Sequence, residues 1–233
     1  MASGLEHPVL LSTFANMDTI TLGGQTVEFK HVFFSWVAMA ILFGLGLIVR
    51  RRLTLVPGKL QSVLEVFIGG LDDFAVNSAG DKIKPFVPLL VTIFLYILVQ
   101  NLMGLVPLFD APTANINTNL GMALCVFILY HFVGIKKHGA GYIKQFTGPL
   151  PALMPLMLPI ELMTHCARIV SLTLRLFGNI RGEEIVMGVL FMLLPVISTY
   201  PMFFLFLLVK FLQAFVFYML TMIYLQSAME EAH

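Results

Sequence analysis

The stretch from Pro151 to Leu225 is almost continuously apolar, and it limits the possible fold more than any other feature of the sequence. Two prolines, Pro195 and Pro201, mark a reversal within it, so we predict two long helices over about residues 155–194 and 201–228. The first would be about 60 Å long, twice the ~30 Å thickness of a hydrocarbon core. It must therefore tilt strongly, bend or lie against a wide surface.

The composition of the chain is typical of an integral membrane protein. Hydrophobic residues make up 58% of the 233 residues and charged residues only 12%, whereas soluble domains carry roughly 25% charged residues. The net charge of +1 gives no reason to expect nucleic-acid binding. The sequence has no phosphate-binding loop and no metal-binding histidine or cysteine motif. We therefore expect no cofactor and no metal, and any chemistry on ATP would belong to another subunit.

Three shorter apolar segments, Val32–Val49, Pro85–Val106 and Asn119–Ile135, predict further membrane spans. Apolar residues repeat at helical spacing within 53–84, which predicts an amphipathic helix on the membrane surface or against a partner; a soluble linker helix is the alternative. The segment Pro107–Thr118 is predicted to be a loop. The expected fold is all-α and polytopic, with about five membrane helices plus the amphipathic helix in one membrane domain over 1–233.

The basic residues predict how the chain is oriented in the membrane. Clusters follow the first and third spans and precede the second, whereas the loop at 107–118 has none. By the positive-inside rule these clusters are cytoplasmic, which places the N-terminal segment 1–31 outside and the C-terminus in the cytoplasm. No basic start precedes an apolar core, so we expect no cleaved signal peptide. The clusters consist of Arg50, Arg51, Arg52, Lys59, Lys82, Lys84, Lys136, Lys137 and Lys144.

Polar and small residues form one stripe along the first long helix. Their spacing of three or four residues places them on one helical face. An arginine at the centre of a spanning helix costs about 2.5–3.5 kcal/mol on insertion scales, so the stripe must face water, a partner or a moving charge. Ion handling within the bilayer is the first functional hypothesis. The stripe consists of Glu161, Thr164, Arg168, Ser171, Arg175, Asn179 and Gly182.

Arg175 is the central residue of this stripe. A guanidinium does not lose its proton in a protein, so it cannot relay protons. It can act as a fixed positive charge that attracts a carboxylate and favours release of that carboxylate's proton. The alternative is a structural arginine that binds carbonyls or extends to the interface.

Acidic residues on the same helix are candidates for an ion path on either side of Arg175. Glu161, with Thr164 and Ser171, can line a path from the cytoplasmic end, and Glu184 lies about 13 Å beyond Arg175 towards the opposite side. Glu183 is expected to be solvated or paired with Arg181. Arg168 has either a structural or lipid-facing role or a channel role, and His165 could bridge it to Glu161.

Two residues of the last helix, and one in the loop, complete the candidates. Gln213 is set in an apolar run and is predicted to bond to Arg175, although it could also be ordinary packing between helices. Lys210 is either a channel residue or a side chain that extends to the interface. Asn115 could hydrate the mouth of a channel or belong to a polar turn.

These residues stand in motifs that resemble those of subunit a of the bacterial rotary (F-type) ATP synthase, over essentially the whole chain. They are Leu174-Arg-Leu-Phe-Gly-Asn179, the acid Glu184, Leu212-Gln-Ala-Phe215, Thr221-Met-Ile-Tyr224 and Pro112-Thr-Ala-Asn-Ile-Asn117. The resemblance implies a stator subunit, not catalytic by itself, in the bacterial cytoplasmic (inner) membrane. Its partners would be the ring of subunit c, the peripheral stalk subunit b and the rest of the complex.

The resemblance also implies a mechanism and a role for each site residue. Two offset aqueous half-channels would face the rotating ring and would be separated by Arg175, the essential arginine, with Gln213 as its partner. Glu184 and Asn179 would lie on the inlet path and Glu161 on the outlet path. The chain departs from some members at Asn115, where they carry an acid. It departs also at Phe206, where they carry a histidine or an acid.

Two other classes of protein are alternatives to a stator subunit. A secondary ion or anion transporter would use Arg175 to bind an anion, but it favours repeated halves, which the sequence lacks. A purely structural scaffold has little need for a polar stripe in its longest apolar segment. The sequence leaves open whether protons or sodium ions are carried, because the selective carboxylate would belong to the ring.

Overall fold

The computed structural model describes residues 20–22, 25–27, 29–51, 58–106, 109–139, 142, 154–193 and 199–229. Most of the predicted extracytoplasmic segment 1–31 lies outside these ranges. So do Arg52, Lys144 and Pro195, and the predictions that involve them are not tested by the structure.

The described part of the chain is built from α-helices, as predicted. The helices are α1 (Phe29–Arg51), α2 (Lys59–Ala79), α3 (Val87–Met103), α4 (Ile116–His138), α5 (Met154–Leu193) and α6 (Thr199–Met229). Short 3-10 helices cover Asp81–Phe86 and Pro112–Ala114. An antiparallel hairpin of β1 (Ile20–Leu22) and β2 (Gln25–Val27) was not predicted, because three-residue strands are too short to show a periodic pattern.

The loop predicted at 107–118 lies about three residues earlier in the structure, because α3 ends at Met103 and α4 begins at Ile116. Asn115 is the N-cap of α4, and its side chain accepts a hydrogen bond from the backbone N–H of Asn117 at 2.8 Å. An asparagine cap satisfies one of the free N–H groups at a helix start. Helix α4 therefore begins at Ile116, three residues earlier than predicted. Asn115 is thus placed at a helix start, as a polar turn residue would be.

Four of the described helical segments are long and apolar enough to cross a bilayer: Lys30–Arg51, Asp81–Met103, Ile116–His138 and Tyr200–Met229. Helix α5 is longer than any of these, at 40 residues, but it carries the charged members of the polar stripe. The described structure thus has four apolar spans and one long charged helix, which packs mainly against α4 and α6. This arrangement confirms a polytopic, multi-pass membrane protein.

The amphipathic helix α2 packs on its own chain. Leu71 and Ala75 are buried in the main hydrophobic core, and the Tyr218 hydroxyl of α6 donates a 2.7 Å hydrogen bond to the carbonyl of Leu71. Val63 and Val66, on the other side of the helix, are 69% and 77% exposed. One face of α2 therefore closes the bundle of α3 and α6, and the opposite face stays available to lipid or to a partner.

We predict that Leu71→Ala lowers the stability of the subunit by about 2–5 kcal/mol, because it leaves a cavity between α2, α3 and α6. The measurement is the thermal unfolding of the subunit within the detergent-solubilised complex. Val66→Ala is the matched control and should change stability by less than about 0.5 kcal/mol, because Val66 is exposed. Equal losses in the two variants would contradict the packing of α2.

Candidate functional site

Arg175 lies on an uncovered face of α5. Its side chain is exposed, and it makes no hydrogen bond or ion pair with any other residue that the structure describes. Ser171 and Gly178, about one turn away on either side, are also exposed, and a Cβ added at Gly178 would meet nothing within 4 Å. The arginine thus stands on a surface of small side chains that another molecule can approach closely.

A first group of polar side chains, the Tyr130–His165 cluster, lies about 15 Å from Arg175 along α5, towards its N-terminus. The Tyr130 hydroxyl is 2.7 Å from Nδ1 of His165, and Nε2 of His165 is 3.3 Å from Oε1 of Glu161. This arrangement suits a neutral imidazole that accepts from the tyrosine and directs its N–H towards the carboxylate. His165 and Tyr130 are buried, whereas Glu161 is half-buried, so the cluster runs from the interior towards the surface.

The Arg168 side chain contacts the Tyr130–His165 cluster and does not extend into lipid. Its guanidinium lies 4.9 Å from the ring centre of Tyr224 on α6 and 5.9 Å from that of Tyr130 on α4. A cation over the face of an aromatic ring is attracted by the ring quadrupole. Arg168 therefore connects α4, α5 and α6. Of the predicted bridge through His165, the contact with Glu161 forms, at 3.3 Å.

A second group, the Lys210–Glu183 cluster, lies about 12 Å from Arg175 in the other direction along α5. Nζ of Lys210 on α6 donates to Oε2 of Glu183 on α5 at 2.7 Å, and both side chains are buried. The Asn101 amide of α3 donates to the backbone carbonyl of Lys210 at 3.4 Å. The Thr113 hydroxyl donates to the side-chain Oδ1 of Asn101 at 2.9 Å. The side-chain amide of Asn119 donates to the backbone carbonyl of Thr113 at 2.8 Å. Four helices and one 3-10 helix therefore meet at this cluster.

Apolar side chains separate the two clusters. Leu172 and Leu176 of α5, with Phe217 and Met222 of α6, are all at most 2% exposed. They form part of the main core at the level of Arg175 along α5. In the part of the chain that the structure describes, buried apolar side chains therefore lie between the two clusters at the depth of the arginine.

The predicted hydrogen bond between Gln213 and Arg175 is absent from the described structure. Two contacts, Lys210 to Glu183 and Arg168 to Tyr224, set the register of the antiparallel helices α5 and α6. Interpolation between these contacts places Gln213 near the level of Asn179 and Ile180, four to five residues beyond Arg175 along α5. Gln213 is buried, and its Nε2 has no partner among the described protein atoms.

The prediction for Glu183 was wrong. It is Glu184 that pairs with Arg181, at 2.8 Å and half-exposed, whereas Glu183 turns inwards to Lys210. Residues three apart on a helix face each other and residues two apart do not, so the spacing alone favours the observed pairing of Arg181. The alternative in which Lys210 extends to the interface is also wrong, because its side chain is only 5% exposed.

The remaining candidates have the following positions. Thr164 is exposed and its hydroxyl donates to the backbone carbonyl of Ile160 at 2.9 Å. Asn179 is half-buried, and its Nδ2 has no partner among the described protein atoms. Phe206, where some proteins with the same motifs carry a polar residue, is buried. Sequence reasoning missed Asn101 and Tyr130, which no motif marks, and it gave no role to Thr113, although Thr113 lies in the Pro112–Asn117 motif. Only the packing of the helices brings these three residues to the clusters.

The fold and the site define a multi-pass membrane protein with a fixed cation between two polar clusters. A sequence profile of the family described as ATP synthase A chain matches residues 32–226. The chain is 64% identical to ATP synthase subunit a of Nitratidesulfovibrio vulgaris and 57% identical to that of Oleidesulfovibrio alaskensis, in each case over the full length of both chains. It is 51% identical to ATP synthase subunit a of Solidesulfovibrio magneticus, again over both full lengths.

The chain therefore belongs to the ATP synthase A chain family. As a member of this family it is a proton-translocating subunit of the membrane sector and works with the rest of that complex. The alternative of a secondary transporter is not favoured.

We predict that Arg168→Met lowers the stability of the subunit by about 1–2 kcal/mol, because it removes the cation from the faces of Tyr130 and Tyr224. The measurement is the apparent melting temperature of the subunit in the solubilised complex. Arg168→Lys, which keeps a cation near the rings, should lose less. A methionine variant that melts with the unmodified protein would show that these ring contacts do not stabilise the bundle.

Proposed function

We propose that this chain is the stator that presents two offset aqueous half-channels to a rotating ring of subunit c, with Arg175 between them. The observation that carries the proposal is the position of Arg175. It is exposed and unpaired within the described chain, it lies between two polar clusters, and it stands beside a closed apolar interior. An arginine at this depth needs a counter-charge, and a carboxylate on a neighbouring subunit would supply it.

The chemistry of arginine suits this role. A ring carboxylate that arrives protonated from one half-channel would release its proton near the guanidinium, because the positive charge stabilises the carboxylate. The guanidinium itself keeps its protons, so it passes none across. One elementary charge that moves through 100 mV gains about 2.3 kcal/mol, and a continuous water path past Arg175 would lose this energy as a leak. Because the two clusters are separated, protons would cross by rotation of the ring and not by a direct leak.

The exposed face of α5 is the surface that we assign to the ring. Its small residues near Arg175, Ser171 and Gly178, allow a second helix to approach closely, as small residues do between membrane helices. The hairpin of α5 and α6, predicted over 150–228, would lie tilted along the wall of the ring. Subunit b of the peripheral stalk would hold the chain against rotation.

One half-channel would lie near each of the two clusters. Glu184 at the surface, with Asn179 and Gln213 further in, would form the inlet, since unpaired amide groups at Asn179 and Gln213 are available to water. Glu161, with Thr164 and Ser171 on the exposed side of α5, would form the outlet. His165 would line it at its buried end.

The basic helix ends support the predicted orientation. Arg50 and Arg51 stand in the last turn of α1, and Lys136 and Lys137 in the last turn of α4. We place these ends in the cytoplasm of a bacterium, with the chain in its inner membrane and the N-terminus outside. The ATP synthase complex would therefore carry its catalytic subunits on the side where α1 and α4 end.

We predict that Arg175→Gln, and likewise Arg175→Ala, abolishes ATP synthesis driven by a proton gradient while the complex still assembles. Inverted membrane vesicles that contain the whole complex provide the measurement, together with copurification of the ring of small subunits. Arg50→Gln is the matched control, because Arg50 is an exposed arginine at a helix end. Normal coupled synthesis in the Arg175 variants would refute the proposed function, and so would the absence of a ring from the purified complex.

We predict a milder effect for Glu184→Gln, a loss of proton flux of about three- to tenfold, because this acid is half-exposed and water can partly replace it. The same vesicles measure the flux as acidification driven by ATP hydrolysis. An unchanged flux would remove Glu184 from the inlet.

A further inference from the structure

Lys210 and Glu183 form the most buried ion pair in the described part of the chain. Their side chains are 5% and 9% exposed, whereas every other described pair has at least one partner that is 30% exposed or more. Two charges are costly to bury, and apolar side chains of similar size often stabilise a protein equally well. Stability alone is therefore a weak explanation for this pair.

The two oxygens of Glu183 are in different situations. Oε2 accepts the hydrogen bond from Lys210, whereas Oε1 is buried and has no partner among the described protein atoms. The pair itself is held in place, because Asn101 binds the backbone carbonyl of Lys210 and is in turn bound by Thr113. A positioned carboxylate thus keeps one oxygen open to a water molecule or a proton.

The position of Glu183 links the surface acid to the arginine. Glu184, the next residue, is half-exposed, and Glu183 points from the same turn of α5 into the bundle. Asn179 lies one turn closer to Arg175 on α5, and Gln213 lies one turn from Lys210 on α6. Each of these two amides has an unpaired and buried nitrogen. Polar groups therefore continue from Glu184 through Glu183 towards the level of Arg175.

We propose that Glu183, positioned by Lys210, is a proton-accepting station of the inlet half-channel between Glu184 and Arg175. This inference rests on the proposed function and adds a residue to it. A proton carried by water binds to Oε1 of the carboxylate, and the same proton then leaves to water on the side of Asn179 and Gln213. Lys210 holds the carboxylate in place through Oε2.

Two variants separate a proton station from a pair that only joins α5 to α6. Glu183→Gln keeps the shape and an oxygen for Lys210 but cannot carry a proton between waters. The double variant Glu183→Met with Lys210→Met replaces both charges with apolar side chains of similar length, which supports the packing without any titrating group. Glu183→Asp keeps the carboxylate and tests for rescue.

The experiment uses the whole complex in inverted membrane vesicles, with the amount of assembled complex measured by immunoblot. Passive proton flux driven by a potassium diffusion potential is recorded after the catalytic sector is washed away. We expect normal assembly and a flux at least about tenfold lower in both Glu183→Gln and the double methionine variant. Glu183→Asp should recover a substantial part of the flux. Asp110→Asn, which removes the acid of the Lys30–Asp110 pair, is the matched control and should conduct normally.

Several results would overturn the proposal. Native flux in either Glu183→Gln or the double methionine variant would show that the site needs no titrating carboxylate. If neither variant assembled, the Lys210–Glu183 pair would be required for assembly of the complex and would not be a proton station. No recovery in an assembled Glu183→Asp variant would also count against a carboxylate station. None of these results would affect the separate test of Arg175, in which coupled synthesis by Arg175→Gln would refute the stator function itself.

Discussion

The arrangement of α5 follows from the free-energy cost of a charge in apolar surroundings. This helix carries several ionisable side chains through a protein that is otherwise built of apolar spans. Inside the bundle each described charge has a specific neighbour: Glu183 has Lys210, and Arg168 has the rings of Tyr130 and Tyr224. Arg175 alone among the described charges of α5 faces outwards without such a neighbour, which fits the proposed counter-charge on a neighbouring subunit.

This division gives the two faces of α5 different tasks. The inner face is fixed, because Lys210, Arg168 and Tyr130 connect it to α4 and α6 at two levels. The outer face has small side chains and stays uncovered around Arg175. The proposed rotary mechanism would need this combination, since the arginine would hold a constant position while the ring carboxylates move past. Buried contacts at both ends of the stripe would therefore support the proposed role of Arg175 without touching it.

Much of the fold could be predicted from the sequence, because long apolar segments and their period are local properties. Helix α5 was predicted over 155–194 and is observed over Met154–Leu193, and α6 was predicted to within two residues. The residues of the polar stripe could also be predicted from the sequence, since their identification needs only the 3.6-residue period. The partners of the other charged residues on α5 could not be predicted, as the exchange of roles between Glu183 and Glu184 shows. A turn of about 100° between neighbouring residues decides which acid faces α6, and the helix alone does not reveal where α6 lies.

The sequence by itself determined that this chain is an all-α membrane protein with an arginine at the middle of its longest helix, because hydropathy and helical period depend only on nearby residues. Only the tertiary structure decided that Lys210 meets Glu183, that the buried Gln213 Nε2 has no partner among the described protein atoms, and that Asn101 and Thr113 join the same cluster. These contacts depend on the register between helices that are far apart in the sequence. That register is set by the packing of whole faces, which no local pattern encodes.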